Sequence, residues 1–468
     1  MPSARLGPYP TEFPAELAQI VGIDGLCTAE QIALLDPGVT PRNLEAGLLV
    51  RPSSPAEVAA VLRCAARHGI GVVPQGGRTG LSGGAVSRPD EIILSLQRLA
   101  TIGLIDAASR TAVVDAGVTL ESLDTALRPH GLSAGIDLGA RGSATIGGMV
   151  STNAGGIDAF RYGTMRERVL GLEVALPSGE LLDFLSRVRK DNSGLALRQL
   201  FIGGEGTLGV ITRIALALVP APAGRYAALA VIPRADDAVR LMRLVESHPG
   251  LTLAAAEVMS GNQVTLTAAA LGIALPLTIA PADLALLLSV EATGDESADE
   301  GLQSALAEGS GQALLSDCLL PKNAAEERDL WRIREDWAVD RARPGGLWFD
   351  ISVPVDGLAA YLAGLQARLC AHDPSLGLFV VGHLADGNLH VTVNAPVPIT
   401  ERYEEIAPLV YADLRALGGS FSAEHGIGIE KRSSLAHWLD PAALALMRAI
   451  KALIDPAGIM NPGKVFTD

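Results

Sequence analysis

Thiols are scarce in this sequence. Four cysteines, Cys27, Cys64, Cys318 and Cys370, are scattered over 468 residues without a CxxC pair. Neither a thiolate metal site nor a disulfide framework is indicated. Positive charge is short as well, with 37 Lys and Arg against 52 Asp and Glu, a net charge of −15. That disfavours nucleic acid or an anionic membrane as the main partner, because both need basic patches. No run of 18 apolar residues reads as a membrane span. Residues Met1 to Ala18 lack the charged-then-apolar pattern of a signal peptide. The expectation is a soluble, cytoplasmic protein. Histidine is rare too, eight in all, and none belongs to an HExxH zinc-peptidase motif.

Apolar residues make up 49% of the chain, which places it among globular proteins with room for two or three cored domains. Residues 1–45 read as a short helical lead-in. In "SSPAEVAAVLRCAARHGIGVVPQGG", Ser54 can cap a helix, Pro55 suits its first position and Glu57 completes a capping box. Val58, Val61, Leu62 and Ala65 would form its apolar face, Gly69 its end, and "IGVV" a buried strand. This β-α rhythm extends through a domain over 46–220. A second unit of alternating strands and helices is expected over 221–421, then a C-terminal segment over 422–468.

Three glycine-dense loops interrupt the first domain. "PQGGRTGLSGG" (Pro74 to Gly84) lets backbone N–H groups approach an anion closely, yet no Gly-Lys-Ser/Thr follows, so it is not a Walker loop. "GSATIGGMVSTNAGG" (Gly142 to Gly156) adds Ser143, Thr145, Thr152 and Asn153. In "FIGGEGTLGVIT", Gly204, Gly206 and Gly209 satisfy GxGxxG, the dinucleotide fingerprint. The fingerprint should open a helix, but "VITRIALALV" reads as a strand, which argues against a nicotinamide-type Rossmann fold.

The segments "VVPQGGRTGLSGG", "SATIGGMVSTNAGG", "YGTMRERVLGLEVALPSGE" and "RKDNSGLALRQLFIGGEGTLGVIT", in that order and spacing, resemble the FAD domain of flavoproteins of the vanillyl-alcohol-oxidase type. The tail "DPAGIMNPGKVF" is similar to that family's C-terminus. The resemblance implies an α+β fold: a two-subdomain FAD-binding domain, an α/β substrate (cap) domain and a C-terminal helical segment returning to the FAD domain. It implies that the Gly76–Gly84 loop, with Gly76, Gly77, Arg78, Thr79, Gly80, Leu81 and Ser82, cradles the pyrophosphate, and that Pro74 belongs to the cofactor site. Gly147, Gly148, Thr152, Asn153 and Gly156 would line the isoalloxazine and ribityl chain, and Ser143 and Thr145 would also belong to the cofactor site. Glu205, Gly206 and Val210 would lie near the adenine side, and Asn461 would close over the flavin. Within the family the chain is most similar to the 2-hydroxyacid dehydrogenases acting on D-lactate, D-2-hydroxyglutarate or glycolate.

"GHLADGNLH" (Gly382 to His390) poses a separate question. If Asp386-Gly387 is a two-residue type I′ turn, His383 faces His390 across the ladder, with Cβ atoms about 4.5–5.5 Å apart. A solvated histidine pair is the plain alternative. "SFSAEHGIGIEKR" adds Glu424 and His425 at an expected strand end. His383, His390 and Glu424 would then form a two-histidine, one-carboxylate metal site for zinc or manganese, since ligand type fits both. The resembling dehydrogenases carry such a site on these motifs. His68, His130, His248, His372 and His437 lack such company and read as structural or solvent-facing. Arg334 in "LWRIREDWAVDRARPGGLWFDISVP" matches the family arginine that pairs with the substrate carboxylate. Trp331, Trp337 and Trp348 in the same segment are open to two readings, pocket wall or ordinary packing.

The activity implied is oxidation of a D-2-hydroxy acid to the 2-oxo acid, with Arg334 holding the carboxylate and His425 as base. The resemblance also puts Trp348 and Thr392 at the substrate, where diacid-binding relatives carry lysine and asparagine; Ala338 stands in place of a threonine. These departures favour D-lactate or a longer apolar acid, with D-2-hydroxyglutarate as the alternative and Arg341 or Arg343 as substitute cations. A metal-dependent hydrolase without flavin and a non-catalytic flavin sensor or carrier are the readings of other classes. The electron acceptor (electron-transfer flavoprotein, quinone, cytochrome or oxygen) and the oligomeric state, a homodimer included, are open.

Some relatives bind FAD covalently through a histidine in the first loop, where this chain has Arg78. Non-covalent FAD is therefore expected. Acid precipitation of the yellow protein should release the colour to the supernatant; colour retained in the pellet would contradict it.

Overall fold

The computed structural model describes residues 9–222, 224–292 and 297–466. The chain divides into two compact units. One takes the chain up to Gly156, then Tyr162–Ala221, then everything from Glu424 on; the other takes Ile157–Arg161 and Pro222–Ala423.

In the first unit, the Pro55–His68 helix follows from its sequence. Ser54 Oγ accepts the Glu57 N–H and Gly69 closes the helix at φ 66°. The Glu57 carboxylate differs from expectation: it accepts from the Ser53 N–H at 2.7 Å, one residue before the cap. Val58, Val61, Leu62 and Ala65 are all buried. The lead-in contributes more than a helix. Phe13–Val21 packs Phe13 and Leu17 into the core, and Leu26–Thr28 pairs as a strand with Leu48–Val50. A four-stranded sheet runs in the order Leu26–Thr28, Leu48–Val50, Ile92–Ser95, Val72–Gln75, and its last three strands are parallel. The five-stranded sheet Ile102–Asp106, Thr111–Asp115, Val210–Ala217, Val169–Ala175, Leu181–Phe184 is antiparallel throughout. The GxGxxG stretch leads into the Val210–Ala217 strand and not into a helix, as its β-branched start requires.

The second unit is built on one seven-stranded antiparallel sheet. Its order is Asp317–Leu319, Arg225–Ile232, Leu284–Ala292, Leu251–Ser260, Gly377–His383, Asn388–Asn394, Leu347–Ser352. On one face Leu330 and Ile333 of the Ala324–Glu335 helix join a cluster with Leu229, Met259 and Leu287. Among the described residues no helix is long and apolar enough to cross a membrane.

The histidine hairpin corrects the expected register. The loop spans residues 384–387 and not two residues, so His383 pairs with Asn388 and His390 with Val381. The cause is Leu384, which is fully buried and donates its N–H to the Ala256 carbonyl. It is drawn toward the neighbouring strand and out of the hairpin ladder. The slip is two residues, an even number, so both histidines stay on one face. Gly387 sits in the turn at φ 77°, and a Cβ there would lie 2.0 Å from the Val353 carbonyl oxygen. Gly387→Ala should therefore cost about 1–3 kcal/mol from backbone strain alone, read as a lower urea midpoint. An unchanged midpoint would show that the turn relaxes freely.

Candidate active site

In the first unit the glycine loops pack on one another through bare backbone. A Cβ on Gly76 would fall 2.1 Å from Thr145 Oγ1, and one on Gly77 would fall 1.9 Å from the Ser143 carbonyl oxygen. Thr145 caps the short Ile146–Thr152 helix by accepting the Gly148 N–H, and Asn153 ends it at φ 54°. Gly147 lies against Ala116, and Gly156 against the Asp137 carbonyl. The third loop docks on the second, Glu205 N–H donating to the Ser151 carbonyl at 2.8 Å. Around Gly80, itself exposed, nothing comes within 4 Å of an added Cβ, and Thr79 and Leu81 beside it are half-buried.

Several expected cofactor residues spend their side chains on the protein itself. Glu205 is 8% exposed, and its carboxylate accepts the Ile427 N–H at 2.7 Å and the Gly428 N–H at 2.8 Å. Burial pushes its pKa up against those two amides and the charge of Lys431. Val210 sits in the core. Asn153 Oδ1 accepts from Thr164 Oγ1 and the Arg166 N–H, and Thr152 Oγ1 donates to the Gly148 carbonyl. Asn461 Nδ2 donates to the Gly84 and Glu205 carbonyls. Gly206 lies against Pro74. Ser82 donates to the His425 carbonyl and accepts the Ile429 N–H at its own carbonyl. The "EHGIG" segment is thus tied to the first glycine loop. It forms a bend and not the expected strand end, because Gly426 and Gly428 sit at φ 79° and 50°.

Three buried polar atoms here have no hydrogen-bond partner among the described residues, Gln75 Oε1, Arg78 Nη1 and Asn461 Oδ1. A native protein rarely leaves such atoms unsatisfied. A guanidinium N–H in a glycine-rich loop suits a phosphate, and an amide oxygen suits a ring or ribityl donor. The residues present therefore fit FAD.

In the second unit the register writes the site as rows across one sheet face. Ser352, Asn388, His383 and Glu257 form the first row; Asp350, His390, Val381 and Met259 the second; Trp348, Thr392 and Phe379 the third. The His383 and His390 rings are 5.7 Å apart between centroids. Asp350 is buried, accepting from Asn388 Nδ2 at Oδ1 and from the Ala423 N–H at Oδ2, with His390 Nδ1 3.9 Å from Oδ1. Glu257, 1% exposed, accepts from His383 Nδ1 at 2.8 Å and from Arg334 Nε at 2.6 Å. Burial alone would raise the Glu257 pKa, but the His383 and Arg334 charges and hydrogen bonds outweigh it and lower it. The carboxylate of Glu257 therefore occupies the Nε edge of Arg334, the residue expected at a substrate carboxylate. The Nη1 edge donates to nothing among the described residues.

Trp348 stacks on Trp337, ring centroids 4.9 Å apart, and donates to Asp340 Oδ1 at 2.6 Å. Trp331 packs on the apolar cluster. Of the two substitute cations, Arg341 is paired with Asp336, whereas Arg343 lies over the Phe379 ring at 5.4 Å.

Sequence reasoning missed Glu257, whose signal was a lone carboxylate inside the apolar strand "LTLAAAEVMS". It passed over Asp350 as well. His68 has more company than expected, since Glu16, Cys64 and His68 bring ligand atoms within 4.8 Å of one another.

Residues 46–185 match the model of the FAD binding domain, and 221–465 that of the C-terminal domain of FAD linked oxidases. The chain belongs to the FAD-linked oxidase family. It is 36% identical over 473 residues to the mitochondrial D-2-hydroxyglutarate dehydrogenase of Bos taurus, covering 97% of this chain and 86% of that one. It is 37% identical to the D-2-hydroxyglutarate dehydrogenase of Xanthomonas citri pv. viticola (91% and 90%). A mitochondrial Schizosaccharomyces pombe protein, provisionally named a D-lactate dehydrogenase, is 32% identical (95% and 88%). Among solved structures, p-cresol methylhydroxylase with substrate bound has a TM-score of 0.72 at 17% identity, covering 97% of this chain and 96% of that one. The 4-ethylphenol oxidase of Gulosibacter chungangensis matches at the same TM-score and identity, covering 98% of each. These two share the vanillyl-alcohol-oxidase type of fold.

The Glu16, Cys64 and His68 group is a structural cluster. Its carboxylate already pairs with Arg67, and burial, followed by the hydrogen bond to Glu16, pushes the Cys64 thiol up to about 11. At pH 8 on the order of one such thiol in a thousand is ionised. A disulfide reagent should modify exposed Cys370 and spare Cys64 until denaturant is added, with or without zinc. Fast native modification of Cys64 would contradict this.

Proposed function

We propose that this protein is an FAD-linked dehydrogenase that oxidises a D-2-hydroxy acid to the 2-oxo acid and passes the electrons to an external acceptor. We further infer that His383, His390 and Glu424 hold a divalent ion, zinc or manganese. The observation that carries the reading is the polar half of the second unit's sheet face. Two histidines, a buried aspartate and an arginine share it, and Glu424 follows directly in the chain on Ala423, whose N–H Asp350 accepts. The relatives named for D-2-hydroxyglutarate and D-lactate support the substrate class. The donor set suits a borderline ion with open positions.

Bound FAD supplies the hydride acceptor, and a bound ion supplies the Lewis acidity that lowers the hydroxyl pKa. The chain's own residues do the rest. Arg334, held by its Nε edge, offers its Nη donors to the substrate carboxylate and so orients C2. An imidazole nitrogen of His425 takes the hydroxyl proton as the C2 hydrogen leaves with its electron pair. The glycine loops, with Arg78 and Asn461, bind the dinucleotide non-covalently.

The side-chain end of the substrate meets the third row. The indoles of Trp348 and Trp337 beside Thr392 favour an uncharged side chain, as in D-lactate or a longer apolar acid. A second reading, D-2-hydroxyglutarate, is favoured by Arg343 over Phe379 in that same row. Anaerobic flavin bleaching against D- and L-2-hydroxy acids separates the two. A diacid lacking a cation loses a charge-assisted bond of about 1.5–3 kcal/mol, more than tenfold in kcat/KM. Trp348→Lys should then raise D-2-hydroxyglutarate relative to D-lactate. If the unmodified enzyme prefers D-2-hydroxyglutarate and Arg343→Met abolishes that preference, the second reading holds. Chelation should stop turnover with FAD still bound; full activity in metal-free protein would remove the ion from the account.

A further inference from the structure

The reading above leaves the most deeply buried acid of the sheet face without a role. Glu257 stands opposite His383 in the ladder, and both of its oxygens are used, one by His383 Nδ1 and one by Arg334 Nε. An ionised carboxylate only accepts, so the hydrogen of the imidazole is on Nδ1. In the neutral ring the lone pair of His383 is then on Nε2, which lies 3.5 Å from Arg334 Nη2, at the limit of a hydrogen bond. A plain ion pair with Arg334 would need neither the second oxygen nor its alignment on the ring.

We propose that Glu257 is a positioning residue that fixes His383 in the Nδ1–H tautomer, so that Nε2 faces outward as a ligand, and holds Arg334 by its Nε edge, so that the Nη donors face the substrate. This rests on the metal reading of His383. Both partners of Glu257 are donors, so an amide cannot replace it. In Glu257→Gln the amide oxygen can serve only one of them. With that oxygen on Arg334, the amide N–H group meets His383 Nδ1, which must then accept. The ring hydrogen moves to Nε2, the atom that should bind the ion. Orienting partners of this kind are worth about 10–100-fold in metal affinity.

The test uses full-length, FAD-loaded protein with selectively labelled histidine. In the metal-free parent, long-range nitrogen–proton spectra should show His383 as the Nδ1–H tautomer, with His383→Gln identifying its signals. In Glu257→Gln the same ring should become Nε2–H. Zinc affinity, measured by competition with a chromophoric chelator, should fall 10–100-fold while FAD content and far-UV circular dichroism stay unchanged. Parent-like zinc affinity together with an Nδ1–H His383 in Glu257→Gln would overturn the proposal. If that variant does not fold, the parent spectrum still decides, because an Nε2–H His383 in the parent also overturns it. A parent that binds no divalent ion but shows the Nδ1–H tautomer, lost in Glu257→Gln, would sink the metal reading and leave the positioning of the ring standing.

Discussion

A carboxylate taken out of water must be given donors, or the unit that buries it loses several kcal/mol. Both units of this chain are organised around such a group, and they solve the problem differently. Glu205 is met by backbone N–H groups of Ile427 and Gly428. Burial still wins there, and its pKa rises. Glu257 is met by a guanidinium and an imidazole, and its pKa falls despite complete burial. The first arrangement ties distant chain segments together with neutral dipoles. The second creates a charged cluster, and a charged cluster in a sheet face is where ligand chemistry becomes available.

The Glu205 arrangement explains why the C-terminal segment belongs to the first unit. Its two accepted N–H groups lie in "GIG", its own carbonyl accepts from Asn461, and Gly428 lies against Ser82 of the first glycine loop. A Cβ on Gly428 would fall 1.9 Å from the Ser82 carbonyl oxygen, so only glycine allows that approach. The glycine loops thus do two things at once. Some of their glycines admit neighbouring backbone, and others, such as Gly80, leave space. The sequence shows the density of glycine but not this division.

What was legible in the sequence followed from local chemistry. Ser54, Pro55 and Gly69 mark a helix because capping acts within one turn, and "VITRIALALV" announces a strand because branching acts on one residue's own backbone. The glycine loops and the "EHG" segment were visible as motifs. What was not legible depended on partners far away. Glu257 and His383 are 126 positions apart, and nothing in "LTLAAAEVMS" says which strand will lie beside it. The hairpin register failed for the same reason. Asp386-Gly387 favours a two-residue turn locally, but burial of Leu384 and its bond to Ala256 pull the chain into a longer loop. A buried leucine contributes about 1.5–3 kcal/mol, which outweighs a turn preference.

That slip also decides which residues share a row of the sheet. A shift of one residue would have sent His390 to the opposite face; a shift of two keeps it beside His383 and moves it one row along. Rows two residues apart are about 7 Å apart along the strand. With C2 at the His390 row, as proposed, a side chain running away from His383 would reach toward the row of Trp348, Thr392 and Phe379. A three-carbon acid carries no charge toward that row, and an uncharged residue there costs it nothing. A five-carbon diacid reaches it, and its second carboxylate must find a cation or lose its hydration unpaired. Trp348 offers no charge, and its N–H is already committed to Asp340. Arg343 offers one, placed over Phe379 and, among the described residues, with a long contact to Asn394. On the proposed placement of the substrate, discrimination between short and long acids would rest on one guanidinium and one indole in a single row of the sheet, and the row of His390 could stay the same for either substrate.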